Sequence, residues 1–234
     1  MSDKLIFFDL EIAKILPEEF DDIWDYAPLG ITCIDLLREA PGEKQPYHVT
    51  LTEIDKPKMT KKQLVIAVDI MYRFSEKGYK FVTWNGLGFD FRVLAEESGE
   101  FGKCKAMALG HYDMMYQVFC MKGFPIRLNS VASTMGFGEK TGGMTGAEAP
   151  KMWTEPDQRD KVLEYVRNDT ELTQKIFHGA QSAKRIEWTT RKGKISGFPM
   201  LKWLNVADAT ALDLPNTDWM DNPMAREDFY KWTK

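Results

Sequence analysis

Cysteine is scarce in this chain. Cys33, Cys104 and Cys120 are the only three in 234 residues, an odd number, far apart and in no CxxC pair. That spacing excludes a disulfide framework and a zinc ribbon, and the thiols are expected to be reduced and buried. Long apolar runs are missing too: none approaches membrane-spanning length, and the opening Met-Ser-Asp-Lys-Leu-Ile-Phe-Phe lacks the apolar core and small-residue cleavage site of a signal peptide. A cytoplasmic location is the resulting expectation. Excess positive charge is also lacking. A formal charge of -4 and a pI near 5.5 do not fit the usual basic DNA-binding module. The glycine-rich stretch from Gly136 to Gly146 has no ordered GK[ST] ending, which excludes a phosphate-binding P-loop. No internal repeat is present.

What remains is the ordinary composition of a soluble globular chain, long enough for one large domain or one domain with an appendage. Lys4 to Leu10, Gly30 to Leu37 and Tyr47 to Ile54 are β-rich runs, the last two separated by the turn-like Pro41-Gly42-Glu43-Lys44, and they read as an antiparallel meander. Thr60 to Gly78 has helical spacing, with Thr60 as cap and Gly78 as stop. A crossover follows to a strand at Tyr79 to Trp84. Helices are predicted at Phe89 to Glu97, Tyr112 to Met121 and Leu128 to Met135. The longest helix runs from Pro156 to about Ala183, capped near Glu155 or Asp157. Strands first, then strands alternating with helices, make an α/β sheet of mixed strand order.

Three short acidic motifs punctuate this pattern. Asp9-Leu-Glu11 ends an apolar strand, where residues two apart share a face and can share a metal. Two carboxylates at that position cost free energy unless something cationic compensates, although a strand end emerging into solvent gives the same pattern. A second Asp-x-Glu, Asp169-Thr-Glu171, lies on the long helix, where the two side chains diverge. Asn85-Gly-Leu-Gly-Phe-Asp90 follows a strand directly, and its glycines suit a tight turn delivering Asp90 to the first turn of a helix. The alternative is an ordinary loop in which Asn85 makes an Asx turn and Asp90 caps the helix. Tyr165 and Asp169 stand at i and i+4 on one helix face. Four carboxylates and a phenol are the parts needed to hold two divalent metals over a phosphodiester.

In this order and context the motifs make the chain resemble the DEDD-family 3′–5′ exonucleases of the tyrosine subclass, and in particular the proofreading exonuclease domains of family B DNA polymerases. The resemblance covers roughly residues 4 to 183. It implies a ribonuclease H-like mixed sheet, antiparallel meander plus parallel strands, flanked by helices. It implies that Asp9, Glu11, Asp90 and Asp169 bind two Mg2+ or Mn2+ ions about 3.5–4 Å apart. It also implies that Tyr165 positions or activates water, and that the product is a nucleoside 5′-monophosphate released from a free 3′ end. The histidine subclass would need His where Glu164 stands. Ile12 occupies a place where many relatives carry Thr or Ser, and Ile12, Asn85, Phe89 and Lys140 are the candidate substrate contacts. Asp113 sits where relatives often carry an Asp opening a helix, and reads mainly as a structural cap. With no polymerase domain in the chain, the resemblance implies action alone or with a separate polymerase or repair protein.

DNA, single-stranded by preference, is favoured over RNA, with both left open. A non-catalytic nucleic-acid-binding or scaffold protein and a structure-specific endonuclease are the competing readings. Residues 1–183 are expected to form the nuclease domain, with 184–234 a hairpin and irregular tail packed on it. The basic run Lys184, Arg185, Arg191, Lys192 and Lys194 is either a phosphate-facing surface or a solvated helix end and hairpin tip. The glycine-rich loop is either a flap bringing Lys140 and Lys151 to phosphates or a plain surface loop. Trp188 is expected in the core, and Trp219 and Trp232 as anchors of the tail.

Overall fold

The computed structural model describes residues 3–138 and 146–234. A five-stranded sheet organises the fold. Strands β1 (Lys4–Ile12), β2 (Ile31–Glu39) and β3 (Tyr47–Thr52) form the antiparallel meander. After helix α1 (Lys61–Glu76), strand β4 (Tyr79–Thr83) pairs in parallel with β1, giving the order β3-β2-β1-β4-β5. The mixed α/β architecture is therefore the one the sequence predicts. Thr60 caps α1 through Gln63 N–H as expected.

Helices α2 (Asp90–Ser98) and α3 (Phe101–Gly110) follow. Helix α3 has no counterpart in the sequence reading, because Phe101-Gly-Lys-Cys-Lys-Ala-Met-Ala-Leu-Gly110 shows little amphipathic periodicity. The helix expected from Tyr112 starts later: Tyr112–Asp113 form the short strand β5 beside β4, and helix α4 runs Met114–Lys122. Next come α5 (Leu128–Thr134), α6 (Ala149–Trp153) and the long α7 (Arg159–Ala183). A 3-10 turn at Pro156–Gln158 precedes α7, and neither it nor α7 has a side-chain cap, so the capping expected of Glu155 or Asp157 is absent. The chain closes with the hairpin β6 (Arg185–Thr189) and β7 (Ile195–Pro199), then α8 (Val206–Thr210) and α9 (Glu227–Tyr230).

Alternation along β1 builds two cores. Ile6, Phe8, Leu10 and Ile12 face a cluster containing Leu64, Val68 and Met71 of α1 and Phe91 and Leu94 of α2. Leu5 and Phe7 face the other side, with Leu172, Ile176 and Phe177 of α7 and the hairpin's Trp188 and Phe198. Asp9 and Glu11 continue this second row. At the C-terminal end of β1 the face covered by α7 thus changes from apolar to acidic.

Trp188 is buried as expected. Trp219 is only a peripheral anchor, 66% exposed and edge-on to Phe124 at 6.0 Å between ring centroids, and buried Phe229 takes the main role beside Trp232, whose indole N–H donates to Leu87 O at 2.8 Å. A tail lacking regular periodicity gives no signal for which aromatic ring meets the body. All three cysteines are free and buried. No helix among the described residues is long and apolar enough to cross a membrane.

Candidate active site

The acidic end of β1, the β4–α2 loop and α7 meet around a cleft of about 410 Å³. Asp9, Glu11, Asn85, Asp90, Tyr165 and Asp169 all line it. Asp9, Glu11 and Asp169 form the tightest group, each offering a carboxylate oxygen within 4.8 Å of the others. Glu11 and Asp169 are nearly buried. Like charges held this close in a poorly hydrated pocket repel strongly, so the cluster favours a cation. An all-carboxylate set suits a hard divalent ion. Glu171, the other acid of the second Asp-x-Glu, points elsewhere and meets His48 Nε2 at 3.4 Å. The helix has separated the pair as the geometry requires.

Asp90 stands slightly apart from that trio. It is buried at the start of α2 and accepts a hydrogen bond from Leu10 N–H. Burial, with the neighbouring Asp113 and Asp169 charges, pushes its pKa up to about 7. A cation in the cleft would oppose that shift.

The loop delivering Asp90 is held by Asp113, whose role is wider than a helix cap. Its carboxylate caps α4 through Tyr116 N–H at 3.0 Å and accepts from Asn85 N–H at 3.0 Å and Leu87 N–H at 2.9 Å. Burial nonetheless raises its pKa to about 6. A second buried chain supports the same loop. Gly86 N–H donates to Thr83 Oγ1 at 3.0 Å, and Thr83 lies 2.9 Å from His111 Nε2. His111 Nδ1 meets Ala108 O at 2.5 Å, so Nδ1 is the protonated nitrogen and Nε2 accepts from Thr83. Burial lowers the pKa of His111 to about 3, which keeps it neutral.

The residue in the left-handed region is Asn85, at φ 75°, rather than either glycine of the motif. Asparagine tolerates this conformation better than most residues. The glycines serve close approach: a Cβ on Gly86 would lie 2.5 Å from Thr83 Oγ1, and one on Gly88 2.8 Å from Asn85 Oδ1 and 2.9 Å from Phe229.

Tyr165 is 1% exposed, one turn before Asp169 on α7, and is hydrogen-bonded to it. Burial first, then the Asp169, Glu11 and Asp9 charges, raise the phenol's pKa far above its ordinary value. Its hydroxyl donates to Asp169.

Ile12 and Phe89 line the cleft, as does Lys151, whereas Lys140 lies outside the described residues. Lys151 is carried by α6, which fully buried Trp153 pins down by donating to Lys56 O at 3.0 Å. Several lining residues escaped the sequence reading: Trp84, and Leu16, Phe20 and Ile23 from the segment after β1. Their neighbours Glu18, Glu19, Asp21, Asp22 and Asp25 make that segment look merely acidic. Only Phe20, an aromatic 44% exposed on the rim, resembles a binding-surface signal, and it emerges with the fold.

Comparison with known protein families matches residues 31–181 to the RNase_H superfamily. The chain belongs to that superfamily. The matched span begins after Asp9 and Glu11 and includes Asp90, Tyr165 and Asp169. No curated protein matches the chain significantly. Fold, family and cluster together define an RNase H-like nuclease domain with an acidic group able to hold a metal ion. Nucleic acid is the substrate class this implies.

Proposed function

We propose that this chain is a 3′–5′ exonuclease of the DEDD tyrosine subclass, releasing nucleoside 5′-monophosphates from a free 3′ end, with single-stranded DNA favoured over RNA. The observation that carries this reading is Tyr165, buried against Asp169 and beside Asp9 and Glu11, on the helix that completes the acidic trio. In this reading Asp9, Glu11 and Asp169, with Asp90 beside them, hold two Mg2+ or Mn2+ ions. Such ions, when bound, lower the pKa of water and neutralise charge on the phosphate.

The chain's own groups supply the rest. The phenol of Tyr165, its hydroxyl proton hydrogen-bonded to Asp169, orients the attacking water by accepting a hydrogen bond from it. Asp113 and the Thr83–His111 pair hold the Asn85–Asp90 loop in place before substrate arrives. Leu16, Phe20, Ile23 and Phe89 offer apolar surface to the terminal bases, and Ile12 replaces a polar contact with packing. Lys151 supplies a cation to a non-bridging phosphate oxygen. A cytoplasmic setting and a separate polymerase or repair protein as partner belong to the same proposal.

The test is incubation of the protein and its Asp9→Ala variant with 3′- and 5′-labelled DNA and RNA oligonucleotides and a circular DNA, in Mg2+, Mn2+ or EDTA. Metal-dependent shortening from the 3′ end by the wild type alone is the expected result. Cutting of the circle would instead assign an endonuclease, and intact substrates under every condition a binding protein.

A further inference from the structure

We propose that the tip of the β6–β7 hairpin, together with Arg127, is a phosphate-binding arm that holds a nucleic-acid strand several nucleotides away from the end in the cleft. The inference rests on the proposed function for the strand's polarity, but its binding readout stands separately.

The tip Arg191-Lys192-Gly193-Lys194 places three cations in four residues of a chain whose formal charge is -4. All three side chains are exposed, and among the described residues none is in an ion pair. The neighbouring Arg185 is, by contrast, neutralised by Glu187 at 2.6 Å. A concentration of unpaired positive charge on a chain of net negative charge is a local attractor for a polyanion.

The tip is also rigidly mounted. Ile186, Trp188, Phe198 and Met200 are buried at the hairpin's base. Ser130 Oγ of α5 donates to Thr189 O at 2.8 Å, and Thr134 Oγ1 lies 2.8 Å from Thr189 Oγ1. The turn itself is closed by Thr190 N–H to Lys194 O at 2.8 Å and Gly193 N–H to Thr190 O at 2.9 Å. Cations held on such a frame lose little backbone entropy when a phosphate binds.

A physical path joins this frame to the cleft. Trp84, a lining residue, donates from its indole N–H to Ile126 O at 3.0 Å. The next residue, Arg127, is exposed and begins α5, the helix on which the hairpin rests. The seven residues of α5, the side-chain step from Thr134 to Thr189 and the three turn residues after β6 make a path of roughly 25 Å from Arg127 to Lys192. A strand of several nucleotides, at about 3.4 Å each, is long enough to follow such a path. Exposed Ile195 beside the tip offers apolar surface to a base on the same strand.

The test uses the full chain with Arg191→Ala, Lys192→Ala and Lys194→Ala combined, and a control replacing the exposed Lys44, Lys62 and Lys80 by alanine. Binding of a 20-nucleotide single strand is measured in EDTA across a salt series, and cleavage of a dinucleotide and of the 20-mer is measured with Mn2+. The arm predicts weaker 20-mer binding, a salt slope shallower by about 2, and a raised KM for the 20-mer. It predicts dinucleotide cleavage within about twofold of wild type, and a control triple close to wild type. Absence of cleavage by the wild type would remove the exonuclease reading, and the binding series would still decide the arm. Unchanged 20-mer affinity and slope, an equal loss in the control triple, or no binding by the wild type would overturn it. So would loss of binding to phosphatidylserine vesicles with oligonucleotide binding intact, which would give the tip to a membrane surface.

Discussion

Replacing Asp113 by alanine sets two opposing contributions against each other. The carboxylate accepts from the backbone N–H groups of Asn85, Leu87 and Tyr116. Loss of the cap on Tyr116 costs about 1 kcal/mol, and two loop donors left without an acceptor cost about 1–3 kcal/mol each, a gross loss of about 3–7 kcal/mol. Burial offsets part of this, because it pushes the pKa of Asp113 up to about 6. Against an unfolded value near 3.9, the ionised group then costs the native protein about 3 kcal/mol at pH 8. The folded pKa is raised, so the stability this group contributes is fully present below about pH 4 and lost as pH rises through about 6. Alanine removes that loss, and it also lowers the pKa of Asp90, which Asp113 helps to raise.

The variant is therefore expected to be less stable than wild type by about 0–4 kcal/mol at pH 8, and by about 1–2 kcal/mol more than that at pH 5. Urea unfolding in EDTA at the two pH values measures both numbers. A destabilisation equal at both, or larger at pH 8, would refute the account of a buried, costly carboxylate holding the loop. The loosened loop also predicts a higher Mn2+ concentration for half-maximal nuclease activity.

Asp9→Ala should leave the metal-free protein as stable as wild type or more so, because it relieves a crowded trio, while abolishing the Tm rise on adding Mn2+. For wild type that rise corresponds to about 2.7 kcal/mol at 100 times Kd, and an equal rise in the variant would place the ion elsewhere. His48→Gln tests the clamp between the meander and α7. The hydrogen bond to Asp35, at 2.7 Å, raises the folded pKa of His48, so its stabilisation is complete below about 6.5 and lost as pH rises through the raised value. The gap between wild type and this variant in urea should shrink from pH 6 to pH 9, and a constant gap would show that the charged pair contributes nothing. Arg226→Ala removes a guanidinium that donates to the carbonyls of Cys120, Thr210, Leu212 and Asp213. It should cost about 2–4 kcal/mol and speed chymotryptic cleavage at Leu212 and Trp219, and unchanged cleavage would show that Phe229 and Trp232 hold the tail alone.

Local rules carried much of the design. The apolar run ending in Asp9-Leu-Glu11 reveals from sequence a strand and two carboxylates on one of its faces, whereas the burial of that face was settled by packing. The i, i+4 pair Tyr165 and Asp169 reveals one face of a helix, and Thr60 and Gly78 mark the ends of another. Each of these signals depends only on neighbours along the chain. What tertiary structure decided is everything set by separation in space. It brought Asp169 to within reach of Asp9 and Glu11 across about 160 residues of sequence, and left Asp90 beside the trio rather than inside it. It gave Asp113 the backbone of a loop more than 25 residues away, as well as the helix it caps. It turned an acidic-looking segment into the apolar wall of Leu16, Phe20 and Ile23, and chose Phe229 over Trp219 as the main anchor of the tail. Burial, with the pKa shifts and hydrogen-bond demands it creates, is a property of the packed whole, and no local pattern encodes it.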